Sequence, residues 1–165
     1  MSRITIRYAL PSDQAFLKEM LFASLYVPEG HEPFSKAILE HPDIAKYVTE
    51  WGKPGDIGFI ATDSESDVAA GAVWLRLLTG EHKGYVHVSD DIPEVGIALL
   101  PVYRGQGIGT LLLEHLFEAA TPSYTAMSLS VSKSNPAIKL YERSGFSAVS
   151  EDPNSIIMVK RLPHS

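Results

Sequence analysis

The most informative stretch of this sequence is Arg104-Gly105-Gln106-Gly107-Ile108-Gly109. It follows an apolar run at positions 97–101 and precedes a mainly apolar segment from Thr110 to Ala120. This order predicts a strand, a glycine-rich turn and the start of a helix. The first four N–H groups of a helix have no partner within it, and the helix dipole adds partial positive charge there. The turn is therefore predicted to bind a phosphate or pyrophosphate group through its backbone.

The spacing of the glycines excludes the two commonest phosphate-binding motifs. A P-loop requires Lys and then Ser or Thr after its last glycine, whereas Gly109 is followed by Thr110 and Leu111. A dinucleotide-binding fingerprint requires G-x-G-x-x-G/A, but Thr110 or Leu112 stands where its third small residue belongs. Nor do positions 129–131 offer the acidic residue that this fingerprint places about 20 residues later.

The remaining pattern, Arg-x-x-Gly-x-Gly, resembles the (Gln/Arg)-x-x-Gly-x-(Gly/Ala) signature of the GCN5-related N-acetyltransferase (GNAT) family. The resemblance extends over nearly the whole chain and implies one acetyltransferase domain over residues 1–165. It also implies acetyl-CoA or coenzyme A as cosubstrate. The turn residues that would bind it are Arg104, Gly105, Gln106, Gly107, Ile108, Gly109 and Thr110. From the residues alone, a glycine-rich turn without a ligand is the alternative.

Hydrophobic periodicity and turn residues predict an α/β protein. Strands are predicted at 3–8, 56–62, 68–78, 85–88, 95–99, 125–131, 146–149 and 155–161. Helices are predicted at 11–26, 34–41, 44–51, 106–120 and 136–144, with Pro42 separating two of them. The early meander predicts antiparallel pairs, and the central strand-helix-strand unit predicts a parallel pair. This agrees with the acyl-CoA N-acyltransferase fold of the family: a mixed, mostly antiparallel sheet with a splayed parallel pair and helices on both faces.

Composition narrows the function further. The 165 residues carry a net charge of −6. The sequence therefore lacks the excess of basic residues that is typical of a nucleic-acid-binding protein. The absence of cysteine excludes disulfides, a cysteine-based zinc site and a cysteine acyl-enzyme. No apolar run approaches the length of a membrane span, and the N-terminus does not resemble a signal peptide. We therefore expect a cytoplasmic protein without nucleic-acid or membrane partners, whose oligomeric state stays open, a homodimer being one option.

The strand before the turn supplies a second candidate binding element. Gly96 lies inside it, and an interior glycine often marks a bulge or a close approach of another group. The family resemblance implies that this strand splays from its parallel neighbour, so that its main chain can bind the pantetheine arm. The residues concerned are Ile97, Ala98 and Leu99. A plain buried strand is the alternative.

A third candidate element runs from Ser134 to Phe146. Asn135 suits an N-cap and Pro136 a first helical position, while Gly145 and Phe146 suit the residues after a helix. In the family, an Asn followed six residues later by Tyr and then by Gly-Phe borders the thiol of coenzyme A. By this resemblance Tyr141 would protonate the departing thiolate, and Asn135 would contact pantetheine or orient a backbone group. A half-buried packing role is the alternative for Tyr141.

A base is also needed, because an amine must lose its proton before it attacks a thioester. Glu94 is the first candidate, and Asp90 and Asp91 could join it in an acidic mouth that attracts a cation. His87 and a water chain are the alternatives. No histidine pair has metal-ligand spacing, so no metal is expected. Acceptor-pocket residues are sought among Phe22, Tyr26, Phe34, Trp51 and Trp74, although core packing is favoured over substrate contact for each of them singly.

These features predict an acetyltransferase that moves the acetyl group of acetyl-CoA to an amine by direct attack in a ternary complex. The acceptor would be a small molecule or a peptide: a polyamine, an amino acid, an antibiotic or a protein N-terminus. A non-catalytic acyl-CoA-binding module or sensor is the alternative function. A nucleotide-binding protein of another fold is the third.

Overall fold

A computed structural model describes residues 3–25, 30, 32, 34–78 and 91–163 of the chain. Within these ranges seven strands form one sheet in the order β1-β2-β3-β4-β5-β7-β6. The strands are β1 Ile4–Tyr8, β2 Ile57–Asp63, β3 Val68–Arg76, β4 Glu94–Leu99, β5 Ala126–Ser132, β6 Ser147–Glu151 and β7 Ser155–Arg161. The α-helices are α1 Gln14–Ser24, α2 Pro42–Ala45, α3 Ile108–Ala120 and α4 Ile138–Arg143. Short 3₁₀ helices lie at Pro11–Asp13, Lys36–Glu40 and Pro101–Tyr103.

The sheet is mixed, as the sequence predicted. Every neighbouring pair of strands is antiparallel except β4 and β5, which run parallel. Helix α3 connects these two strands, because a parallel pair needs a crossover that returns the chain to the same edge. The predicted fold class is confirmed.

Helices cover both faces of the sheet. Successive side chains of a strand point to opposite faces, and those of β3 enter two separate clusters. Val73 and Leu75 pack with α3, whereas Ala72 and Trp74 pack with α1. All four side chains are 0–1% exposed, so β3 lies at the centre of the molecule.

The predicted types of most elements are correct, but several boundaries are wrong. The first helix was predicted over 11–26, yet Pro11–Asp13 is a 3₁₀ turn and α1 ends at Ser24. Pro42 was predicted to separate two helices; it is instead the first residue of α2, where a missing N–H costs nothing. The segment predicted as a helix over 34–41 forms a 3₁₀ helix at Lys36–Glu40. The strand predicted at 85–88 lies outside the described residues.

The last residue of β2, Asp63, is a buried carboxylate. Its side chain accepts hydrogen bonds from the Tyr103 hydroxyl at 2.9 Å, Arg3 Nε at 3.0 Å and the Glu65 N–H at 3.0 Å. Desolvation opposes ionisation of this group. The hydroxyl, the N–H and the Arg3 charge outweigh that effect and hold the pKa of Asp63 below its usual range.

We expect Asp63 to contribute stability that depends on pH. Because its pKa is lower in the folded than in the unfolded chain, this stability is present above the unfolded value, about 3.9. It is lost as the pH falls through the folded value. Asp63→Asn should therefore melt below the wild type at pH 7, with a gap that narrows below about pH 4. Thermal melts from pH 7 to pH 3 test this, with Asp67→Asn in the same loop as the control. A gap that stays constant with pH would contradict the assignment.

Candidate functional site

The parallel strands β4 and β5 separate almost as soon as they meet. Their register contains one pair, Glu94 with Ser128, and the Ser128 N–H donates to the Pro93 carbonyl at 3.0 Å. Beyond this pair β4 continues to Leu99, and among the described strands only β3 pairs with it there. An open strand edge presents N–H and C=O groups to a ligand. The splay expected from the family resemblance is therefore present from Val95 onward.

Hydrogen bonding to β3 determines which groups of β4 face the open edge. The Leu100 N–H donates to the Ala70 carbonyl at 2.9 Å, and the register along β4 is regular. Antiparallel pairs alternate between hydrogen-bonded and non-hydrogen-bonded positions. The backbone groups of Ala98 therefore bond to β3, while those of Ile97 and Leu99 point to the open edge. Ala98 can border the cleft, but its main chain is already used.

Three adjoining clefts, with volumes of about 490, 260 and 220 Å³, follow the open edge. The largest, called here the outer cleft, is bordered by residues 97–99 of β4, the glycine-rich turn and the start of α4. The middle cleft shares Ile97, Asn135 and Tyr141 with the outer cleft. The inner cleft shares Val95 and Gly96 with the middle cleft. The three form a continuous groove through the splay.

The glycine-rich turn lies at one end of this groove. Gly105 and Gly107 have φ values of +74° and +82°, which L-residues rarely adopt, and Gly107 is the N-cap of α3. The Leu111 N–H donates to the Gly107 carbonyl at 3.2 Å, so the preceding N–H groups, those of Ile108, Gly109 and Thr110, come before the first intrahelical bond. Ile108 is 2% exposed and packs in the core, so its side chain is not available to a ligand.

The other turn residues have different positions. Arg104 borders the outer cleft and its Nε donates to the Leu99 carbonyl at 3.2 Å. Gly109 borders the same cleft, and a Cβ there would meet Leu140 at 3.2 Å. The Gln106 side chain folds back and donates to the Val102 carbonyl at 3.0 Å.

Gly96 marks a close approach, as the sequence predicted, and not a bulge. The register between β3 and β4 is unbroken, and a Cβ on Gly96 would overlap the Trp74 indole ring. Trp74 is 1% exposed and borders the inner cleft, so its ring forms the floor where β4 begins to splay.

Helix α4 is shorter than the predicted 136–144: it spans Ile138–Arg143, and its N-cap is Ala137 instead of Asn135. The Asn135 side-chain oxygen accepts from the Ala137 N–H at 2.9 Å and so caps the turn before the helix. At the other end, the Phe146 N–H donates to the Tyr141 carbonyl at 3.0 Å, and Gly145 has a φ of +102°. These features form a Schellman motif, which fixes Tyr141 from its C-terminal side.

Tyr141 lies where the outer and middle clefts meet. The residue is 9% exposed, and its ring packs edge-on against Phe146 with the centroids 6.0 Å apart. In the described chain its hydroxyl makes no hydrogen bond. Burial raises the pKa of this phenol to about 12, so the hydroxyl stays protonated at neutral pH.

Glu94 lies at the opposite end of the groove, in the inner cleft. Its side chain is 2% exposed, and Oε1 accepts a hydrogen bond from the Tyr47 hydroxyl at 3.0 Å. Of the three residues predicted to form an acidic mouth, Glu94 is buried and Asp91 is exposed, so these two carboxylates differ in their access to solvent. Asp90 and the alternative base His87 lie outside the described residues.

Comparison with known proteins agrees with this geometry. The model of the acetyltransferase (GNAT) family matches residues 17–146, most of the chain. The chain belongs to the GNAT acetyltransferase family. Members of this family take the acetyl group from acetyl-CoA, so the predicted family, enzyme class and cosubstrate are confirmed at that level. No curated protein matches the sequence significantly.

Several solved GNAT structures have the same fold. The putative acetyltransferase yncA from Salmonella typhimurium, solved with acetyl-CoA, is 19% identical with a TM-score of 0.71, over 99% of this chain and 96% of that one. The ribosomal-protein-S18-alanine N-acetyltransferase from Escherichia coli is 20% identical with a TM-score of 0.65, over 98% and 96%. A dodecameric spermidine N-acetyltransferase from Vibrio cholerae is 20% identical with a TM-score of 0.63, over 98% and 95%.

Sequence reasoning missed one residue of the acetyltransferase groove that contacts Glu94. Tyr47 follows the short helix α2, and nothing in its local sequence indicates that its hydroxyl reaches a strand 47 residues later. Of the aromatic candidates, Trp74 borders the inner cleft and Phe34 the middle one. Trp51 packs in the core and donates from Nε1 to the Ala9 carbonyl at 3.3 Å. Phe22 packs in the same cluster, and Tyr26 lies outside the described residues.

The described parts of the chain contain no group of three or more His, Cys, Asp or Glu residues that could hold a metal ion. None of the helices in those parts is long and apolar enough to cross a bilayer.

Proposed function

We propose that this acetyltransferase moves the acetyl group of acetyl-CoA to an amine, by direct attack within a ternary complex. The observation that carries the proposal is the continuous groove from the glycine-rich turn, past Tyr141, to Glu94. A donor anchored at one end would meet an acceptor held at the other inside the splay. Direct attack suits a chain without cysteine, since no thiol can carry the acetyl group.

The donor would bind largely through backbone groups. The N–H groups of Ile108, Gly109 and Thr110 would bind the pyrophosphate at the positive end of α3. The open-edge groups of Ile97 and Leu99 would hydrogen-bond the pantetheine arm. Thiol and acetyl group would then lie beside Tyr141. Asn135 acts indirectly, because its side-chain oxygen already caps the backbone that leads into α4.

Glu94 would be the base that takes the proton from the attacking amine. The carboxylate is buried and borders the inner cleft, and a buried charge would attract an incoming ammonium more strongly than an exposed one. The Tyr47 hydroxyl holds Oε1, so the rotamer of the carboxylate is fixed before the amine arrives. Attack then occurs between two positioned reactants.

Tyr141 would stabilise the leaving thiolate. Burial raises the pKa of the phenol to about 12, above the usual range of a thiol, so complete proton transfer to the thiolate is disfavoured. The order of the two pKa values favours a hydrogen bond from the hydroxyl to the sulfur as charge develops, rather than the full protonation expected from the sequence. A preorganised donor of this kind is worth roughly 10²–10³ in rate.

Glu94→Gln should show whether Glu94 is the base. Coenzyme A release, measured with acetyl-CoA and a panel of amines, first identifies a working acceptor. With that acceptor, the variant should lose roughly 10²–10⁴ in kcat/KM at pH 7. The deficit should shrink toward pH 10, because an ordinary amine with a pKa near 10.4 then loses its proton without help.

Asp91→Asn is the matched control, since it removes an exposed carboxylate three residues earlier. It should retain wild-type activity at every pH. A Glu94→Gln variant within about threefold of the wild type across the pH range would assign the base to another group. If no amine in the panel releases coenzyme A although coenzyme A binds, the non-catalytic acyl-CoA-binding alternative replaces the transfer proposal.

A further inference from the structure

The glycine-rich turn lies between two buried residues. Residues 104–107 are exposed, whereas Tyr103 before them and Ile108 after them are 7% and 2% exposed. Apart from each glycine itself and its two chain neighbours, the described chain places no atom within 4 Å of where a Cβ on Gly105 or Gly107 would stand. The turn is therefore open on the side of its two glycines. Besides the bonds from Arg104 Nε to the Leu99 carbonyl and from Gln106 to the Val102 carbonyl, its position depends on how firmly the two flanking residues are held.

Ile108 is held by packing in the apolar core, but Tyr103 is held by a specific polar contact as well. Its hydroxyl donates to Asp63 Oδ2 at 2.9 Å, across 40 residues of sequence. The carboxylate is 4% exposed and is fixed in turn by Arg3 Nε and the Glu65 N–H. Neither Asp63 nor Tyr103 borders the outer, middle or inner cleft.

A buried carboxylate needs a reason, because burial without full pairing is costly. Here the hydrogen bond to the Asp63 carboxylate connects the end of β2 to Tyr103, the residue immediately before the turn. A hydrogen bond from a hydroxyl to an ionised acceptor is shorter and stronger than one between neutral groups. The bond to Asp63 therefore restricts the rotation of the Tyr103 ring. Arg104, the first residue of the turn, follows Tyr103 directly in the chain.

We propose that Asp63 and Tyr103 are positioning residues that hold the glycine-rich turn in the geometry required for acetyl-CoA. This inference rests on the proposed function of the turn. Preorganisation lowers the entropy lost when the turn closes on pyrophosphate, so it affects donor affinity and not the chemical step. Asp63 and Tyr103 do not contact the reacting atoms.

Tyr103→Phe tests the proposal because it keeps the ring and removes the hydroxyl. We expect the Kd for coenzyme A and the KM for acetyl-CoA to rise roughly tenfold. The kcat at saturating donor and the KM for the amine should stay within about twofold of the wild type. Asp63→Asn keeps an acceptor for the hydroxyl without the charge and should weaken coenzyme A binding less.

Tyr124→Phe is the matched control, since it removes a hydroxyl that donates to the Gly55 carbonyl at 2.9 Å, outside the three clefts. It should leave the Kd for coenzyme A unchanged. All variants are compared well below their melting temperatures, so that a loss of stability is not taken for a loss of affinity. A Tyr103→Phe variant that melts earlier but binds coenzyme A like the wild type would overturn the positioning role. Wild-type protein that fails to bind coenzyme A would instead overturn the proposed function.

Discussion

Tyr141→Phe is expected to lower kcat by roughly 10²–10³, with little change in coenzyme A affinity. The substitution removes only the hydroxyl, while the ring keeps its contact with Phe146 and the Schellman motif that fixes the residue. The loss arises because the thiolate then departs without a preorganised hydrogen-bond donor. Coenzyme A release is measured with the acceptor found in the amine panel.

Two further measurements define the role of Tyr141. Because burial raises the pKa of the phenol to about 12, its ionisation should cause no loss of activity below about pH 10. Tyr124→Phe again serves as the control and should retain wild-type turnover. Turnover within about threefold of the wild type in Tyr141→Phe would mean that the thiolate leaves without Tyr141, whose role would then be packing.

Gly107→Val is expected to abolish coenzyme A binding while the fold survives. Gly107 has a φ of +82°, where a β-branched residue is strained by roughly 1–3 kcal/mol. Its side chain would extend into the open space at the start of α3, where the pyrophosphate must approach the N–H groups. Calorimetric titration measures the binding, and circular dichroism reports whether the fold is retained.

A second glycine separates strain from obstruction. Gly55 has a φ of +92° but lies outside the three clefts. Gly55→Val should therefore also lower the melting temperature while coenzyme A still binds. Equal loss of binding in the two variants would indicate general destabilisation instead of a blocked turn.

The sequence could predict the turn, the C-terminal cap of α4 and the mixed sheet because each depends on residues close together in the chain. Gly145 and Phe146 end α4 through hydrogen bonds that span only five residues. The exact start of α3 was less predictable, since Gln106 is a good helix former and only the positive φ of Gly107 delays the helix.

The inner cleft could not be predicted because its contacts are long-range. The bond between Tyr47 and Glu94 joins residues 47 positions apart, and the bond between Tyr103 and Asp63 spans 40. An acidic run in a sequence usually indicates an exposed segment. Glu94 is buried because it begins β4, the central strand of the sheet. The raised pKa of Tyr141 likewise comes from burial, which the sequence does not specify.

Titration of the wild-type protein with coenzyme A, followed by calorimetry, tests the central claim most directly. One molecule of coenzyme A should bind per chain, and coenzyme A should raise the melting temperature of the protein. At about 100 times the Kd, binding adds about 2.7 kcal/mol to the free energy of unfolding, or roughly 5–10 °C for a chain of this size. Gly107→Val should show neither effect. A wild-type protein that shows no binding heat and no melting shift at millimolar coenzyme A would contradict the account.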